Sequence, residues 1–103
     1  MWAVVVIYDH PKDSAAFERY YADVHVPLVQ RHASEIGFSR AVLEKFAHGL
    51  DGARPKFYRK AELWFDSEQA LRRGTGTSAF GTVAGDIPKF ASGGFTVLVA
   101  EEA

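Results

Sequence analysis

A chain of 103 residues, 48% hydrophobic and 14% aromatic, is long and apolar enough to build one packed core without staples. Lys plus Arg number 12 and Asp plus Glu 13, a formal charge of −1, which excludes a global electrostatic hold on nucleic acid or anionic lipid. With no cysteine, disulfides, thiolate metal sites and cysteine nucleophiles are excluded together, a composition that suits the cytoplasm.

The first predicted element is a strand over Trp2 to Tyr8, with Trp2, Val4, Val6 and Tyr8 on one face and Ala3, Val5 and Ile7 on the other. The run is short, lacks a basic leader and ends in Asp9-His10-Pro11, so it reads as a strand and not as a signal peptide. No stretch approaches the ~20 apolar residues that span a bilayer, so no membrane partner is expected. Asp13 or Ser14 caps a helix whose apolar stripe is Phe17, Tyr20, Tyr21, Val24 and Leu28. Pro27 inside that stripe has no N–H and crowds the Asp23 carbonyl, predicting a kink between Val24 and Pro27 before the helix resumes toward Arg31 or His32.

A second strand is predicted over Phe38 to Ala47, then a hairpin loop over His48 to Pro55, then a third strand over Phe57 to Phe65. Alternation puts Phe57, Leu63 and Phe65 on one side of that strand and Tyr58, Lys60, Glu62 and Trp64 on the other. Asp66 or Ser67 caps a short helix carrying Ala70 and Leu71, with Gly74 just past its end. Another helical face, Phe80, Val83, Ala84 and Ile87, starts from a Thr77 or Ser78 cap and stops before Pro88. Phe95 to Ala100 closes the chain as a strand.

This order is βαββαβ, an α+β ferredoxin-like pattern with a four-stranded antiparallel sheet and helices on one face. Two helical regions shelter one side of a sheet, yet apolar side chains stand on both sides of the first, third and last strands. The economical cover for the second side is another copy of the same sheet, so a homodimeric α/β barrel is expected.

His25 lies one turn after Tyr21 at the disrupted point of the first helix, about 70° from the centre of its apolar stripe. An imidazole there has the pKa and the placement of a general base, with Tyr21 orienting it. It could equally tidy the kink beside Pro27. Tyr58, Glu62 and Trp64, with Tyr8, are read as lining the barrel interior and binding substrate, Glu62 being either an acid among aromatics or the partner of a neighbouring cation. Asp86 is read as stabilising a helix-to-loop turn in preference to a role in the site. Gly74 to Ala79 matches a dinucleotide fingerprint only on paper, since it follows a helix and lacks the βαβ context. His10, His25, His32 and His48 are too scattered for one metal, and no metal or other cofactor is expected. Arg54, Lys56, Arg59 and Lys60, interleaved with Phe57 and Tyr58, read as a solvated edge and not a nucleic-acid surface.

The run Phe17-x-x-Tyr20-Tyr21-x-x-x-His25-x-Pro27-Leu28-Val29, with Ala61 to Ser67 and Asp86-Ile87-Pro88-Lys89-Phe90, resembles the EthD family of the dimeric α/β-barrel superfamily. The resemblance runs over nearly the whole chain, and residues 1–103 read as one such domain. Tyr21 stands where such proteins often carry Trp. The resemblance implies a dimer of ferredoxin-like subunits, oxidoreductase-like, working near oxidative degradation of ethers and other small organics or near polyketide and pigment pathways. Superfamily relatives include cofactor-free monooxygenases, cyclases, isomerases and haem-handling enzymes, and fold alone does not choose among them. The expectation is a cofactor-independent oxidoreductase, isomerase or cyclase that holds a small aromatic or apolar molecule between sheet and helices. The alternative is a binding or accessory dimer that supports an oxygenase system.

Overall fold

Seven consecutive residues suited to burial on both faces, Trp2–Tyr8, form an inner strand, β1, with a hydrogen-bonded neighbour on each side. One neighbour is β3, Arg59–Phe65, and the other is β4, Phe95–Glu101; β3 also pairs with β2, Arg40–Lys45. The computed structural model describes residues 1–103 and shows the sheet order β2-β3-β1-β4 with every pairing antiparallel. This is the ferredoxin-like α+β arrangement. The second and third strands are shorter than expected, because residues 46 to 58 leave the regular ladder for the connecting loop.

The register sets Val4 between Leu63 and Val99, and Val5 between Glu62 and Leu98. Side chains alternate along each strand, so Val4, Val6, Tyr8, Leu63 and Phe65 face the helices. Val5, Ile7, Glu62, Trp64 and Leu98 face the other way, toward a sheet surface that no element of the chain covers. At the edge strand β4, Phe95, Val97, Leu98 and Val99 are exposed on both faces, Val99 by 58%.

The helical layer begins with α1, Ser14–Tyr20, where the Asp13 side chain accepts the Ala16 N–H at 3.0 Å. The expected kink takes the form of a π-helical segment, Tyr21–His25, with the Val26 N–H bonding back five residues to the Tyr21 carbonyl. Widening the turn accommodates Pro27, whose ring would otherwise press on the Asp23 carbonyl. The chain continues as α2, Val26–Arg31, and α3, Ala33–Ile36, which ends at Gly37 with φ 86°. After β3, Ser67 caps α4, Glu68–Thr75, and Thr77 caps α5, Ser78–Asp86, which runs into a 3₁₀ turn, Ile87–Lys89. No helix is long and apolar enough to cross a membrane.

Gly74 lies inside α4 and not past its end. A Cβ there would fall on the Ile36 carbonyl oxygen and 2.7 Å from the Phe65 ring, so the glycine is what lets α4 settle against α3 and β3. Gly74→Ala gains about 1 kcal/mol of helix propensity but forces apart backbone that cannot yield, at a cost of about 1–3 kcal/mol or more. The expected net result is a Tm lowered by roughly 5–10 °C in thermal unfolding.

Two buried clusters hold the helices to the sheet. One is aliphatic, with Val4, Ile36, Leu63, Leu71 and Val83 around Phe65; the other is aromatic, with Tyr8, Phe17, Tyr21, Tyr58 and Phe90. A cavity is lined by members of both.

Candidate functional site

The cavity has a volume of about 370 Å³ and lies between the helix-facing side of the sheet and the π-helical segment, α2 and α5. All but two of its 19 lining residues are hydrophobic. The exceptions are Gln30, exposed at the rim, and His25, which is buried. His25 is the last residue of the π-helical segment, so the irregular turn that accommodates Pro27 also carries the imidazole.

His25 Nδ1 lies 2.9 Å from Asp86 Oδ2. A carboxylate only accepts, so Nδ1 carries the proton and donates it. The second oxygen of Asp86 accepts from the Tyr20 hydroxyl at 2.7 Å, with Lys89 Nζ 3.8 Å away. Tyr21 stacks on the imidazole at a centroid distance of 5.7 Å, and Phe90 packs at 4.6 Å. The ring is thereby held in one orientation and one tautomer, leaving Nε2 without a protein partner in a residue that lines the cavity.

Burial pulls the His25 pKa below its ordinary value and outweighs the upward pull of the Asp86 hydrogen bond and charge. At Asp86, burial acts upward, but the bonds from Tyr20 and His25 prevail and hold the carboxyl below the usual range. At neutral pH the pair is therefore a neutral imidazole beside a carboxylate, with an open lone pair on Nε2.

Because His25 folds with a depressed pKa, the folded state resists its protonation. Its contribution to stability is present above the unfolded value of ~6.5 and is lost as pH falls below that. Asp86 acts in the same sense at lower pH. Asp86→Asn removes the influences that pull His25 upward, so the acid limb of any His25-dependent pH profile moves to lower pH. Its plateau falls as well, because the charge that would balance an imidazolium is gone. A pH series of kcat/KM on both proteins reads the two effects separately.

The sequence-assigned site residues divide into three places. Tyr8, Tyr21 and His25 line the cavity. Tyr58 does not: its hydroxyl donates to Glu18 Oε2 at 2.7 Å beneath α1, and its ring meets Phe17 at 5.0 Å. Glu62 and Trp64 lie across the sheet from the cavity, where Trp64 Nε1 donates to Glu62 Oε1 at 3.3 Å and Lys60 Nζ lies 3.4 Å from Glu62 Oε2. The expectation that Tyr8, Tyr58, Glu62 and Trp64 share one lining is corrected on that ground. Two causes separate the set: the register pairs Tyr8 with Arg59 and so puts it on the other face from Glu62 and Trp64, and Tyr58 precedes the strand. Tyr58 and Arg59 are adjacent yet both bond to Glu18, so the period of two fails between them. Glu62 takes the second of its two readings, the partner of a neighbouring cation.

Preferring the turn over the site for Asp86 leaves its bond to His25 unread. A signal was available: Asp86 is three residues after Val83, on the face that buries Val83 and Ile87. The Glu18–Arg59 pair, bidentate at 2.7 and 3.0 Å, left no comparable trace. No three His, Asp or Glu side chains converge in a metal-binding arrangement.

A ferredoxin-like sheet with a histidine-bearing cavity under its helices defines the class, and comparison with known proteins defines the family. The EthD domain family model matches residues 9–94, and the chain belongs to that family. An uncharacterized 11.0 kDa protein in the thcB-thcC intergenic region of Rhodococcus erythropolis is 37% identical over 106 residues, covering 99% of this chain and 95% of that protein. The crystal structure of an ethyl tert-butyl ether D (EthD) family protein from Bacillus halodurans is similar with a TM-score of 0.88 at 25% identity, covering 100% of this chain and 99% of that one. A dimeric ferredoxin-like protein from Thermobifida fusca shares the fold with a TM-score of 0.67 at 9% identity, over 98% of this chain and 90% of that one.

Proposed function

We propose that this chain is an acid/base catalyst of small-organic-molecule metabolism that takes an apolar substrate into the cavity between sheet and helices. One observation carries the reading: the buried polar side chain that interrupts the apolar lining is a neutral histidine, fixed through Nδ1 by Asp86 and open at Nε2. In a site with little water, such an imidazole takes a proton from an acidic carbon or hydroxyl, and Asp86 stabilises the imidazolium that results. Tyr21 positions the ring by stacking.

The working unit in this reading is a homodimer. The uncovered sheet face presents Ile7, Trp64 and Leu98, the last 49% exposed, an apolar strip that a second copy of the same face would cover. The fold relative described as dimeric supports the same assembly. Closing two such faces on each other leaves both cavities on the outer, helix-covered sides.

The test is to identify, by mass spectrometry of the denatured supernatant, the small molecule that the protein retains, and to follow its conversion. Turnover that depends on His25 supports the reading. Saturable binding with no product, equal in wild type and His25→Gln, would replace it with a carrier.

A further inference from the structure

Two phenol groups in the cavity stand without a protein partner. Tyr8 comes from the end of β1 and Tyr21 from the start of the π-helical segment; both line the cavity, and their rings meet edge to face at 5.9 Å. The other two tyrosines are engaged, Tyr58 with Glu18 and Tyr20 with Asp86. No side-chain nitrogen or oxygen is both sealed from solvent and unbonded. The hydroxyls of Tyr8 and Tyr21 are thus neither bonded within the protein nor sealed off, and both belong to residues that line the cavity.

Arg59 stands against Tyr21, its guanidinium carbon 4.8 Å from the ring centroid, and is held in place by Nε and Nη2 bonds to Glu18. The charged or titratable groups around the two phenols are Arg59, Glu18, Asp86 and His25. Burial pushes the Tyr21 phenol up to about 12 and Tyr8 higher still, so both remain protonated donors at physiological pH. Arg59 is already neutralised by Glu18, which leaves no free cation to receive a permanently anionic ligand into this apolar space. What the cavity offers is two phenol donors in the same lining as a base, a setting suited to negative charge that develops only during reaction.

We propose that the substrate is a neutral carbon acid or phenol whose conjugate base carries its charge on oxygen, and that the hydroxyls of Tyr8 and Tyr21 receive that oxygen. The inference rests on His25 being the base. The substrate's C–H or O–H bond breaks, the proton bonds to His25 Nε2, and the electron pair stays with the substrate as an enolate or phenolate oxygen. The imidazolium is balanced by Asp86. Return of the proton to a different atom completes an isomerisation in which no electron leaves, so the step needs no oxidant.

Two probes separate this proposal from the reading beneath it: 4-nitrophenol, which ionises to a visibly absorbing phenolate, and 4-nitroanisole, which cannot ionise. At a pH below the phenol's solution pKa, wild-type protein is expected to bind 4-nitrophenol with the phenolate spectrum. Tyr8→Phe and Tyr21→Phe, which keep the rings, are each expected to weaken that binding by about ten-fold while leaving nitroanisole affinity unchanged. Phenolate binding that disappears in His25→Gln but persists undiminished in both tyrosine variants would overturn the oxyanion site and leave the base in place. A bound nitrophenol that stays neutral in wild type would overturn it as well. Failure of both probes to bind would remove the cavity reading and this proposal with it.

Discussion

Replacing His25 by alanine is expected to lower kcat/KM for the cavity substrate by on the order of 10²- to 10⁴-fold, the contribution a positioned acid/base group ordinarily makes. In the proposed function the imidazole serves as the base, and among the buried lining it has no substitute: its neighbours there are aliphatic chains and phenols that burial keeps protonated. The alanine variant also leaves the Asp86 carboxylate with Tyr20 and Lys89 as its remaining partners, so some loss of stability accompanies the loss of rate. His25→Gln separates the two. Its side-chain amide can still donate to Asp86 but cannot act as a base, so turnover falls as in the alanine variant while thermal unfolding stays closer to wild type. Steady-state kinetics beside thermal melts on both variants checks this, and a glutamine variant that retained turnover would strip His25 of its role.

The second large effect concerns assembly. Leu98 sits on the uncovered sheet face, 49% exposed in the single chain and paired opposite Val5. A glutamate there costs the isolated subunit little. In a two-fold interface it appears twice, and each copy must lose its water against an apolar partner surface. Leu98→Glu is expected to raise the dimer dissociation constant by roughly 10²- to 10³-fold, read by sedimentation equilibrium. An unchanged molar mass in the variant would place the partner elsewhere, and a wild type that sediments as a folded single subunit would remove the dimer.

Much of this fold is visible in local chemistry. Asp13, Ser67 and Thr77 cap their helices because each presents an acceptor to the N–H three residues on. Pro27 announces the irregular turn through sterics alone. The apolar side chains on both faces of residues 2 to 8 mark a strand that needs cover on two sides, a requirement legible without reference to the rest of the chain. Of the candidate site, the local pairing was legible and the long-range contacts were not. His25 and Tyr21 are one helical turn apart, so their proximity is written in the spacing. Asp86 is 61 residues from His25, and Arg59 is 41 from Glu18. Periodicity says which face a side chain takes, not what it meets on the opposing element. The same limit misplaced Tyr58, whose direction depends on Glu18 across the layer and not on its own strand.

Proton transfer at this site turns on the state of one imidazole, which a nitrogen-detected NMR titration of His25 in the intact protein reads out. A proton on Nδ1, a bare Nε2 at neutral pH, and charging only below the ordinary histidine value of about 6.5 are expected. An imidazolium at neutral pH, or a proton on Nε2 in the neutral form, would contradict this.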